Sequence, residues 1–154
     1  MTAHLIISEP LPVADPLAGW RWKIGGAARI VALSRSGDAF VSAPDGGISW
    51  LDTGGGDVSQ VADSRVAFDR LLANSADATR LLLSPVVEEF IRLHGPFPLG
   101  TCLSFRQLPV LGGAYTVENR YRLSAVEHFG VTGDIHRQIR DLPHGAKVDI
   151  RVVD

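Results

Sequence analysis

Up to Val61 the chain alternates short apolar runs with breaks rich in glycine and aspartate, a rhythm that predicts strands joined by tight turns. Ile30-Val31-Ala32-Leu33-Ser34 and Ala39-Phe40-Val41-Ser42 flank Arg35-Ser36-Gly37-Asp38, where Gly37 can supply a positive φ, so this pair predicts a β-hairpin. Asp45-Gly46-Gly47 turns the chain into Ile48-Ser49-Trp50-Leu51, and Thr53-Gly54-Gly55-Gly56-Asp57 turns it again into Val58-Ser59-Gln60-Val61. The first half therefore predicts an antiparallel β-meander. Ahead of it, Pro10, Pro12 and Pro16 remove backbone donors, so residues 1–19 are expected to form a leader or edge segment with little core, and residues 20–154 the domain proper.

The period then changes. Val66, Phe68, Leu71 and Leu72 fall near helical spacing after Ser64, a candidate N-cap, and predict a helix near 65–74. Ser84-Pro85 starts a second helix, near 85–94, with Val87, Phe90, Ile91 and His94 close to one face and Gly95-Pro96 ending it. Beyond it, 101–105 and 120–129 are strand-like, separated by the Gly112-Gly113 loop. A last helix is expected over 132–141 and a last strand over 147–153. The fold class read from this pattern is α+β: an N-terminal meander, two central helices, further strands and a C-terminal helix in one compact domain.

Composition narrows the function classes. At 154 residues, 45% hydrophobic and 21% charged, the chain can bury a core without disulfide or metal. A net charge of -2 disfavours a protein that binds nucleic acid directly by neutralising phosphates. The N-terminus has no basic region ahead of an apolar one, and no apolar run approaches the ~20 residues of a membrane span, so a cytoplasmic protein with no membrane partner is expected. The single cysteine, Cys102, lies in an apolar strand pattern and reads as a small buried hydrophobe.

Catalytic signatures are missing. His128, His136 and His144 lie eight residues apart with no cysteine nearby, unlike zinc ligand pairs, so no metal is expected. No G-x-S-x-G elbow supports a serine nucleophile, and neither Gly54-Gly55-Gly56 nor Gly112-Gly113 has P-loop or dinucleotide-binding context, so no cofactor is expected. Glu88 and Glu89 point about 100° apart on a helix and read as a solvated face. Tyr115, Glu118 and Asn119 close behind two glycines are open to two readings: they hold a loop shut, or they meet a partner.

Several segments taken in order resemble one family. They are Ser34-Arg35-Ser36-Gly37-Asp38, Gly100-Thr101-Cys102-Leu103-Ser104-Phe105, Pro109-Val110-Leu111-Gly112-Gly113-Ala114-Tyr115, Glu118-Asn119, Gly133-Asp134-Ile135-His136-Arg137-Gln138-Ile139 and Asp141-Leu142-Pro143-His144-Gly145. Over about residues 20–146 this set is similar to the C-terminal domain of type VI secretion immunity proteins, which often follows a GAD-like domain in antitoxins against DNase effectors. Residues 1–19 are too few for a GAD-like domain, so a stand-alone version is expected. The resemblance implies a non-catalytic cytoplasmic protein that binds and neutralises a cognate secreted toxin, with DNase as one toxin class. It marks Gly37, Asp38, Pro109, Gly112, Gly113, Tyr115, Glu118, Asn119, His136, Gln138, Pro143 and Gly145 as structural or partner-binding positions. The alternative is a small ligand-binding domain or enzyme with a pocket formed by Tyr115, Glu118, Asn119 and His136.

Overall fold

A computed structural model of the chain describes residues 3–143 and 145–147. Four strands form one antiparallel sheet in sequence order: β1 (Arg29–Leu33), β2 (Ala39–Ser42), β3 (Ile48–Asp52) and β4 (Asp57–Ala62). This is the meander expected from sequence, and Gly37 takes φ +95° in the β1–β2 turn. Both faces of the sheet are covered, which is why β2 is apolar along Ala39-Phe40-Val41 rather than alternating. Ala39, Val41 and Leu51 face one core with Trp20, Cys102, Ala125 and Phe129, while Phe40 and Ile48 face another with Phe68, Leu81, Leu82, Val87 and Phe90.

The second core is built by three helices, not two: α2 (Arg65–Ala73), α3 (Ser75–Leu81) and α4 (Ser84–His94), following a single short turn α1 (Arg21–Ile24). Ser64 caps α2 by accepting from the Ala67 N–H, as its sequence position predicts. Asn74, directly after α2, accepts from the Ala76 and Asp77 N–H groups and starts α3, the helix that periodicity missed. Leu83 joins α3 to α4 with φ +48°, left-handed in spite of its side chain.

Strands β5 (Thr101–Phe105) and β6 (Arg120–Ser124) pair antiparallel in a separate two-stranded sheet. The strand expected over 120–129 stops at Ser124, where α5 (Ala125–Ile139) begins seven residues earlier than the helix expected over 132–141. The reason is local: the Ser124 hydroxyl accepts from the Glu127 N–H, and Ser124-Ala125-Val126-Glu127 is the spacing of a capping box. Ala125, His128, Phe129, Thr132, Ile135 and His136 are then buried at helical intervals, so Glu127 does not share a strand face with Tyr121 and Leu123. The strand expected over 147–153 lies outside the described residues apart from Lys147, which is irregular.

Residues 1–19 were expected to add little core, and the structure corrects this: Leu5, Ile7 and Leu17 are buried. Their backbone also closes one edge of the main sheet. Ile7 N–H donates to the Leu33 carbonyl at 2.8 Å, Ile6 bridges Ser34, and Arg35 N–H donates to the Leu5 carbonyl at 2.8 Å. Arg35 Nη2 donates to both Glu9 carboxylate oxygens at 2.9 Å; against partial burial, the Gly100 N–H first and then Arg35 hold the Glu9 carboxyl below its usual range. No described helix is long and apolar enough to cross a membrane.

Candidate functional site

Part of the motif set, namely Gly37, Asp38, Pro109, Tyr115 and His136, converges where the meander meets β5, β6 and α5. At the centre is the β1–β2 turn. The Gly37 carbonyl accepts from the Thr53 hydroxyl at 2.7 Å and from His128 Nε2 at 2.7 Å, and His128 Nδ1 meets the Ser104 hydroxyl at 2.8 Å. A carbonyl can only accept, so the proton of the neutral ring sits on Nε2 and Ser104 donates to Nδ1. Burial drives His128 down to about 4, outweighing the pull of the Gly37 carbonyl, so the ring is neutral at pH 7.

Asp38 is buried beside it. Its carboxyl accepts from Trp50 Nε1 at 3.0 Å and from the Thr53 N–H at 3.1 Å. Burial, reinforced by the neighbouring Asp52 charge, pushes it up to about 7 against those donors and Arg120. Arg120 is also buried, 3.9 Å over the Phe105 ring, and donates to the carbonyls of Ser104 (3.2 Å) and Ser36. Burial brings it down to about 10, so it remains cationic.

A second ring of contacts surrounds the Gly54-Gly55-Gly56 turn. His136 Nε2 donates to the Thr53 carbonyl at 2.9 Å, and burial lowers its pKa in spite of that acceptor and the nearby Asp52 and Asp57. Trp20 packs against its ring, tilted by 39° with centroids 5.1 Å apart. A Cβ at Gly56, where φ is +79°, would stand 2.6 Å from His136 Nδ1, and one at Gly54 would stand 2.9 Å from both Phe105 and Pro109. These glycines allow close approach as well as a turn. Tyr115 donates its hydroxyl to Asp52 at 2.7 Å, and burial followed by that acceptor raises its pKa.

Asn119 closes the Gly112-Gly113 loop. Its carbonyl accepts from the Gln107 N–H at 3.0 Å, and its amide donates to the carbonyls of Gln107 (2.7 Å) and Ala114 (2.6 Å). The two glycines have separate duties. Gly112 takes φ +98°, whereas Gly113 has an ordinary φ, but a Cβ there would stand 2.7 Å from the Gln107 carbonyl carbon. Pro109 opens the short turn of residues 109–111 and packs against Gly54.

Of the four residues of the alternative pocket, Tyr115, Asn119 and His136 are therefore engaged within the fold. Glu118 turns elsewhere, exposed, beside Pro85, Val86 and Glu89. Gln138 is exposed on α5 and bonds Asp134 at 2.8 Å, Pro143 is exposed, and Gly145 takes φ +82°. His144 lies outside the described residues, among which no cluster of ligating side chains suits a metal ion. Cys102 is fully buried, and burial pushes its thiol up to about 12, which leaves it protonated and unreactive at pH 7. Sequence reasoning missed Thr53, Arg120 and His128 as members of this joint. A Thr in a turn or an Arg opening a strand normally reads as surface, and only the three-dimensional approach of the turn buries them.

No buried side-chain polar atom among the described residues is without a partner. A neutral imidazole, a carboxyl and a guanidinium spend their hydrogen bonds on backbone groups and on neighbouring side chains of the joint. The arrangement does what a joint does, fixing the turns of the meander against α5.

The fold is similar to that of a solved structure, the crystal structure of Atu4351 from Agrobacterium tumefaciens, at a TM-score of 0.52 and 16% identity over 77% of this chain. The chain spans 61% of that structure's length, and the likeness is one of fold. No curated protein matches the chain. Residues 62–136, from the end of β4 into α5, match the family described as T6SS immunity protein Tdi1, C-terminal. Residues 62–136 are thus similar to the C-terminal domain of this type VI secretion immunity family, the family that the ordered motifs resemble. The matched stretch holds Pro109, Gly112, Gly113, Tyr115, Glu118, Asn119 and His136, and Gly37, Asp38, Gln138, Pro143 and Gly145 fall outside it.

Proposed function

We propose that this chain is a non-catalytic, cytoplasmic immunity protein that binds a cognate toxin of a type VI secretion system and neutralises it by occlusion. The match over residues 62–136 carries this reading. The engagement of Tyr115, Asn119, His128 and His136 in bonds within the fold supports it, because occlusion needs a stable surface and no reacting group. A DNase is the proposed toxin class, and the net charge of -2 favours contact with the nuclease over contact with its DNA.

The test is capture by the tagged chain from its host's lysate, followed by co-expression with the captured effector in a toxicity assay. A stoichiometric secreted effector whose toxicity the chain suppresses is the expected result. Repeated captures without an effector, or an effector that kills equally with and without the chain, overturn the reading.

A further inference from the structure

The two edges of the main sheet are not alike. The β1 edge is closed at its Leu33 end by residues 5–7. Among the described residues the β4 edge has no such cover: Asp57, Val58, Ser59 and Gln60 are exposed in succession, with no proline and no lysine in the strand. At its far end the Gln60 amide already bonds the Ala62 carbonyl at 3.2 Å, so the open backbone runs over residues 57–61.

Two features beside this edge define what fits it. First, Val58 pairs with Leu51, and on that face it borders a cavity of about 360 Å³ lined by Ile24, Ala27, Ala28, Val41 and Pro44. Lys23 is the one charged group lining it and repels a cationic side chain. Second, Asp52 and Asp57 oppose each other directly across β3 and β4, and neither is in an ion pair among the described residues. Like charges so placed destabilise a sheet, and an incoming cation relieves them. Asp63 adds a further exposed acid at the other end of the strand.

We infer that the open edge of β4 takes an extended segment of a protein partner as an added strand. That segment places an apolar side chain in the cavity beside Val58 and a lysine or arginine against Asp52 and Asp57. Main-chain bonds supply affinity in this mode and side-chain pockets supply selectivity. A second copy of the chain fits less well. Two-fold antiparallel pairing about Ser59 sets Asp57 opposite Val61 of the other copy, with that copy's Asp63 about 7 Å further along, and so gathers acids at both ends. The inference deepens the immunity reading by naming a docking surface, and rests on that reading only for the partner being a toxin.

The probe is the peptide acetyl-KVTVTK-amide, titrated into the isotope-labelled full chain and followed by amide NMR, with acetyl-EVTVTE-amide as the charge-reversed control. Expected are shifts confined to residues 57–61 and the Lys23–Ala28 segment, with the control about tenfold weaker or worse. Asp57→Asn should weaken the basic peptide several-fold while leaving thermal stability equal or higher, a pairing that a merely structural role for Asp57 would not give. No shifts at millimolar peptide, shifts elsewhere, or equal binding of both peptides overturns the inference. So does light scattering that shows the free chain to be a dimer whose β4 amides shift with protein concentration. An effector neutralised without protection of β4 amides in hydrogen exchange sinks the edge and leaves the immunity reading standing; peptide binding with no effector ever recovered does the reverse.

Discussion

Gly37 and Gly46 form a matched pair for measuring what the buried joint contributes. Both are turn glycines of the meander with nearly the same backbone, φ +95° and +92°. A Cβ at Gly46 meets nothing within 4 Å, whereas one at Gly37 would overlap the Leu103 carbonyl oxygen and stand 2.7 Å from His128 Nε2. In Gly46→Ala only the left-handed penalty operates, about 1–2 kcal/mol, partly offset by about 0.4–1 kcal/mol from the stiffer unfolded chain. The net cost should be about 1 kcal/mol. Gly37→Ala adds overpacking of about 1–3 kcal/mol, because Leu103 is held by β5–β6 pairing and by its N–H bond to the Arg35 carbonyl at 2.7 Å. It also threatens the His128 bond to the Gly37 carbonyl, a further ~1 kcal/mol. A total of about 3–5 kcal/mol follows, or a fall in Tm of roughly 10 °C against about 3 °C for Gly46→Ala. Urea unfolding with equal m-values gives both numbers. If the two variants lie within about 0.5 kcal/mol of each other, the approach of the turn to Leu103 and His128 is not the constraint argued here.

The same joint should respond to pH through two opposed groups. Asp38 is raised to about 7 from an unfolded value of ~3.9, so the stability tied to its protonated form is full below about pH 4 and is lost progressively as pH rises to 7, by up to about 4 kcal/mol. His128 is lowered to about 4 from ~6.5, so its term has the opposite sign and adds up to about 3 kcal/mol between pH 4 and 6.5. The wild type should be nearly flat over that window. Asp38→Asn should become more stable as pH rises through it, and His128→Gln less stable; urea midpoints at pH 4.5, 5.5 and 6.5 that leave either variant flat would contradict the assignment. Arg120→Lys keeps the charge but loses the stack on Phe105 and the fork to Ser36 and Ser104, and should cost about 2 kcal/mol; a cost below about 0.5 in thermal melts would show that charge alone matters. In the Asn119 loop, Gly113→Ala should destabilise more than Gly112→Ala, which meets only strain; the reverse order in differential scanning fluorimetry would refute the separate duties given to the two glycines.

The meander, the cap at Ser64, the helix start at Ser84-Pro85, the turn at Gly37 and the burial of Cys102 were legible in the sequence because each is set by local chemistry, although Ser84 opens α4 as its first residue and the cap position falls to Leu83, which makes no side-chain cap bond. The capping box at Ser124 was legible too, but the alternation of 120–129 fits a strand equally well, and the choice went to the helix because burial of Phe129, Thr132 and Ile135 against the sheet stabilises it. The core role of Leu5, Ile7 and Leu17 was hidden behind three prolines, since proline forbids regular pairing but not the packing of its neighbours. What only the tertiary structure decided is the joint. His128, Arg120, Thr53 and Asp38 come from four separate segments, and their burial, protonation and partners exist only once the β1–β2 turn lies against α5 and β5, because desolvation acts on groups brought together in space and leaves no periodic trace along the chain.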